Sequence, residues 1–114
     1  IPSLLGKMDG MAFRVPVSCG SVVDLTLELE KDVSKEELND LLRNNQSEAL
    51  KVCEDPIVSS DVLGKKCGAL VDLLSTNVLE TEAGNLVKVV AWYDNEMGYT
   101  AQMLRTAKAL IKEK

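Results

Sequence analysis

No histidine occurs among the 114 residues of this chain. A Cys–His nucleophile pair, a Ser–His–Asp triad and a His-bearing metal site each need an imidazole, so none can be completed inside this sequence. The three cysteines, Cys19, Cys53 and Cys67, are odd in number, widely spaced and never form a C-x-x-C pair. That argues against zinc and dithiol chemistry and fits the reduced thiols of a cytoplasmic protein. No apolar run approaches the roughly 18 residues that cross a bilayer. The opening "IPSLLGKMDG" lacks the charged-then-apolar layout of a secretion signal, and a start at Ile1 rather than Met is expected of a processed or excised piece. Net charge is −5, with no stripe of Lys or Arg, which counts against nucleic acid as a partner.

What is present describes one globular domain. The hydrophobic share of 46% and charged share of 27% are ordinary for a packed core and unlike a disordered chain. Residues 11–17, "MAFRVPV", alternate, with Met11, Phe13, Val15 and Val17 on one side. After Ser18-Cys19-Gly20 the run "SVVDLTLELE" alternates again, with Val23, Leu25, Leu27 and Leu29 inward. Together these predict a β-hairpin closed by a three-residue loop. "VSKEEL" at 33–38 predicts a helix start: Ser34 caps, Glu37 completes a capping box, and Val33 with Leu38 forms a staple. Leu38, Leu41 and Leu42 supply the buried stripe, Asn44-Asn45 ends the helix, and "SEALKV" adds a helical turn. "DPIVSSD" reads as an extended connection.

"CGALVDLLS" at 67–75 and "NVLET" at 77–81 read as strand, Ala83-Gly84-Asn85 as a turn, and "LVKVVAWYD" at 86–94 as a strand buried on both faces near its end. A final helix runs from Asn95 to about Lys112, with Met97, Ala101, Leu104 and Ile111 near one face and lysines suiting the dipole at its end. The expected order β-β-α-β-β-α implies an α+β fold, a largely antiparallel or mixed sheet packed against helices.

Aromatics are few (one Trp, two Tyr and one Phe), yet three of them fall within "AWYDNEMGYT", residues 91–100. A junction between strand and helix can hold a polar side chain rigidly against a ligand, although Asp94 or Asn95 there also suits a plain helix cap.

Three segments in order, "DGMAFRVPVSCGSVVDLTLELEK", "EDPIVSSD" and "NLVKVVAWYDNEMGYTAQMLRT", resemble the catalytic domain of the phosphorylating glyceraldehyde-3-phosphate dehydrogenase family and cover almost the whole chain. "VLGKKCGALVDLLST" departs from the family's usual segment, and Met97 stands where a larger aromatic is common. The resemblance implies that residues 1–114 are the C-terminal portion of the catalytic domain, with the N-terminal dinucleotide-binding domain absent. It also implies an NAD-dependent glycolytic enzyme that oxidises and phosphorylates glyceraldehyde 3-phosphate through a thioester, as a cytoplasmic homotetramer. The family's nucleophilic Cys lies in a Ser-Cys-Thr context, which none of the three cysteines here has, so no catalytic residue is assigned and the isolated chain is expected to be inactive.

Binding residues are implied in three places. Arg14, by itself a solvated or carboxylate-paired strand residue, becomes a ligand of the substrate phosphate, for which its planar bidentate fork is suited. Asn95, by itself a cap, becomes a partner of the nicotinamide carboxamide, because an amide both donates and accepts. Tyr99, one turn on, becomes a wall of the nicotinamide pocket. Asp94 and Glu96 read as structural, and Ser59 and Ser60 as loop hydroxyls. The choice between NAD and NADP lies with the dinucleotide domain. The alternatives are an erythrose-4-phosphate dehydrogenase of the same type and a stand-alone α+β binding module without catalysis.

Overall fold

The computed structural model describes residues 1–82 and 84–112. Four strands and two helices follow in the order β1 (Ser21–Glu28), α1 (Lys35–Asn44), β2 (Leu50–Cys53), β3 (Ala69–Thr81), β4 (Gly84–Tyr93) and α2 (Met97–Lys112). Short 3-10 turns lie at Pro2–Leu4 and Ser59–Val62. The sheet order is β1-β4-β3-β2. β4 pairs antiparallel with both β1 and β3, and β2 joins β3 in parallel. The expected α+β class with a mixed, largely antiparallel sheet therefore holds.

β4 is central because its β-branched, apolar sequence can be covered on both faces. Alternation assigns those faces. Val71, Leu73, Val87 and Val89 form one buried cluster, against which Val33, Leu38 and Leu42 of the α1 region pack. The opposite face buries Leu70 with Val62 and Cys67, and Trp92 packs against that group. A parallel β2–β3 pair requires a crossover, and residues 54–68 make it over this second face, carrying Val62 into the cluster.

α1 starts where the sequence says it should. Ser34 Oγ accepts from Glu37 N at 3.1 Å, and the Glu37 carboxylate accepts from Ser34 N at 2.8 Å. The Ser34 N–H, and after it the Ser34 side chain, hold the Glu37 pKa below its ordinary value. Leu38 and Leu42 face the core, but Leu41 is exposed and Asn39 takes the buried place. Asn39 and Lys35 donate to the carbonyls of Leu73 and Leu74, where the register of β3 against β4 shifts. Asp72, buried there, accepts from the N–H groups of Leu74 and Ser75 and from the Ser75 hydroxyl. This shift lets "CGALVDLLS" and "NVLET" run on as one strand.

Several expectations need correction. Residues 11–17 form no strand: they are exposed, and only a local Val17 N–H to Val15 carbonyl bond bends them at Pro16. The hairpin fails because residues 18–20 do not turn back along β1. Gly20, at φ +93°, is buried against the Ser59 carbonyl, and a Cβ there would stand 2.7 Å from that oxygen. β1 instead pairs with β4, and Val23, Leu25 and Leu29 remain exposed with only Leu27 packed on the core.

"SEALKV" is not helical; Leu50–Cys53 is the edge strand β2, because a ladder with β3 outweighs local helix propensity. "DPIVSSD" is extended at first and then closes into the Ser59–Val62 turn. Of the expected turn at 83–85, Ala83 lies outside the described residues, while Gly84 and Asn85 already belong to β4. In α2, Met97, Leu104 and Ile111 are exposed, and the packed side is Gly98, Ala101, Gln102 and Arg105. Gly98 and Gly68 allow that approach: a Cβ at Gly98 would meet the Cys67 carbonyl at 3.0 Å, and one at Gly68 would meet the Gln102 side chain at 2.8 Å.

Candidate functional site at the junction of β4 and α2

β4 ends at Tyr93 and α2 begins at Met97, so Asp94, Asn95 and Glu96 make the turn between them. Asp94 and Asn95 are both good caps by residue type. The fold separates their roles. Asp94 is buried, at 4% exposure. Its Oδ1 accepts from Glu96 N at 2.7 Å and Met97 N at 2.8 Å, which caps α2. Its Oδ2 accepts from Gly64 N at 2.7 Å, and the Cys19 thiol points at Oδ1 from 3.7 Å. One carboxylate thus ties together the turn before β1, the loop after the Ser59–Val62 turn and the start of α2. The Gly64 N–H, followed by those of Met97 and Glu96, lowers its pKa below the ordinary aspartate value.

Asn95 is therefore not the cap. It is exposed, and its Oδ1 accepts from the Ser21 hydroxyl at 2.6 Å. Among the described residues its Nδ2 has no partner. Next to the junction lies a cleft of about 340 Å³ between the sheet and α2, lined by Val23, Ala69, Ala91, Tyr93, Tyr99 and Gln102, among others. This lies within the usual size range of small-molecule sites. Tyr99 lines it while staying largely exposed. Asn95 does not line the cleft but sits in the turn between Tyr93 and Gly98, which do.

Arg14 lies apart, in the exposed extended stretch before β1 rather than mid-strand. Among the described residues no hydrogen bond or ion pair joins it to Asn95 or Tyr99. Its segment, among the described residues, meets the junction downstream, through the Cys19 thiol on Asp94, with Gly20 packed against the Ser59 carbonyl. Ser59 and Ser60 open a 3-10 turn. No group of three or more Cys, Asp or Glu side chains among the described residues could hold a metal ion. Among the described residues no helix is long and apolar enough to cross a membrane.

Sequence reasoning missed Ser21, Gly64 and Gln102. Gly64, at φ +74°, and Ser21, at a strand start, carry no local signal of a contact to residues thirty or seventy-four positions away.

A family model described as the glyceraldehyde 3-phosphate dehydrogenase C-terminal domain matches residues 1–95. Proteins named glyceraldehyde-3-phosphate dehydrogenase from Streptococcus pyogenes and from Streptococcus dysgalactiae subsp. equisimilis are each 49% identical over 112 residues, which is 98% of this chain and 33% of theirs. The chain thus spans about a third of the length of the curated relatives it matches.

Proposed function

The chain belongs to the family of glyceraldehyde 3-phosphate dehydrogenase C-terminal domains, and from that premise we propose that the whole protein is an NAD-dependent dehydrogenase. It oxidises glyceraldehyde 3-phosphate and phosphorylates the product with inorganic phosphate, by way of a thioester, as a cytoplasmic homotetramer. The base comes from outside residues 1–114, which hold no histidine, and so does the nucleophile, since none of Cys19, Cys53 and Cys67 stands in a Ser-Cys-Thr context. NAD supplies the hydride acceptor when bound, and the donors on this chain fit its nicotinamide end. Asn95 Nδ2 is free to donate to the carboxamide oxygen. Tyr99 offers an apolar wall with a polar tip. Arg14, unpaired among the described residues, offers its guanidinium fork to the substrate phosphate.

The observation that carries this reading is the division of labour at residues 94 and 95. Asp94 takes the whole capping task, so the Asn95 amide is left over, ordered by Ser21 and exposed beside an apolar cleft. The test is Asn95→Asp in the full-length protein, by single-turnover NADH formation alongside a melting curve. An ionised Asp accepts but cannot donate, and its charge favours the oxidised, cationic ring over the reduced one. Hydride transfer should slow while the melting temperature stays nearly unchanged, because the cap is untouched. A wild-type rate in this variant would remove Asn95 from the site.

A further inference from the structure

The amide of Asn95 has two ends of similar shape and opposite hydrogen-bonding character, one accepting and one donating. Which end faces a ligand decides what the site selects, and the side chain cannot settle this alone. We propose that Ser21 is the positioning residue that settles it, so that the site accepts a ligand with a hydrogen-bond acceptor opposite Asn95 in preference to a donor. This rests on the assignment of Asn95 to the nicotinamide carboxamide.

The distance identifies the bond. Ser21 Oγ and Asn95 Oδ1 are 2.6 Å apart. That lies within the usual O–H···O range and below the usual N–H···O range, so the amide oxygen, not the nitrogen, meets the hydroxyl. Both partners are held from behind. Ser21 is the first residue of β1, with Tyr93 as its partner across the ladder, and follows Gly20, which is wedged against the Ser59 carbonyl. Asn95 follows Asp94, whose carboxylate is fixed by three backbone N–H groups. With Oδ1 engaged by Ser21, Nδ2 is the end with unspent hydrogens. It presents donors only, and such a site discriminates strongly against a ligand whose acceptor is weak. A carbonyl oxygen fits; a thiocarbonyl sulfur, a poor acceptor, does not.

The experiment uses the full-length protein and two probes, NAD and its thionicotinamide analogue, with dissociation constants measured by calorimetry so that turnover is not involved. Wild type should bind NAD more tightly than the analogue. Ser21→Ala should weaken NAD by about three- to tenfold, the loss of one oriented hydrogen bond. It should also move the ratio between the two probes towards one, because a freed amide can turn its oxygen to the thioamide N–H. Ser21→Thr, which keeps the hydroxyl, should restore both. On an Asn95→Ala background, Ser21→Ala should have no further effect.

If Asn95→Ala weakens NAD but Ser21→Ala leaves both affinities unchanged, the positioning role is overturned while the nicotinamide assignment stands. A Ser21→Ala loss that is equal for both probes and not restored by threonine would be structural, and would also overturn it. If Asn95→Ala does not alter NAD binding, the assignment of the site falls, and the role of Ser21 with it.

Discussion

Residues 11–17, "MAFRVPV", and residues 86–93, "LVKVVAWY", are both rich in β-favouring apolar residues, and both read as strands. The second lies in the middle of the sheet, with β1 on one side and β3 on the other. The first lies exposed and unpaired ahead of β1. Alternation says how a segment would segregate its faces. A strand also needs a neighbouring edge to take its N–H and C=O groups. Residues 86–93 find two such edges. Residues 11–17 find none among the described residues, because Cys19 bonds to Asp94 and Gly20 packs against the Ser59 carbonyl instead of returning the chain along β1.

The two regions differ most in the core. Leu73, at 2% exposure, packs within the cluster under β4, whereas Phe13 is 81% exposed. In urea unfolding of this chain, Leu73→Ala should cost about 2–5 kcal/mol, and Phe13→Ala should stay within roughly 0.5 kcal/mol. Similar losses at both would mean that residues 11–17 are packed after all. The anchor that separates the two regions is the next test. Gly20→Ala adds a methyl against the Ser59 carbonyl at a positive φ, while a Cβ at Gly10 meets nothing within 4 Å. The first change should destabilise by about 1–3 kcal/mol, the second hardly at all.

The subtlest effect lies in pH dependence. Folding lowers the Asp94 pKa, chiefly through the Gly64 N–H and then those of Met97 and Glu96. Its contribution is therefore complete above the unfolded aspartate value and is lost as pH falls through the folded one. Glu37 and Glu54 are lowered too, by Ser34 and Arg43, and act with the same sign. Asp94→Asn should flatten only part of the fall in melting temperature below about pH 5. An unchanged slope would leave the junction without its carboxylate clamp.

The features that needed no distant partner were local. Ser34 and Glu37 specify the start of α1 because the capping box closes within four residues, and the observed bonds match it. Asn44-Asn45 marks its end, and the apolar run after 86 marks the strand that leads into "WYDNEMGYT". The α+β class followed from the mix of such elements, although their expected order, β-β-α-β-β-α, differs from the observed β-α-β-β-β-α, and the junction at 94–95 stood out because aromatics are otherwise so rare.

Tertiary contact chose between the two cap candidates. Asp94 wins because Gly64, thirty positions earlier, supplies a donor to its second oxygen. It likewise decided that α2 packs by Gly98 and Gln102 rather than by Met97 and Leu104, since Gly98 lets the helix lie against the Cys67 carbonyl. "SEALKV" became a strand for the same kind of reason, as the edge of β3 was available to it. Ser21 could not be found from sequence at all: its partner lies seventy-four residues away. Caps and turns are set by atoms within a few bonds of one another. Pairing, burial and the presentation of Asn95 are set by segments that meet only after the chain has folded.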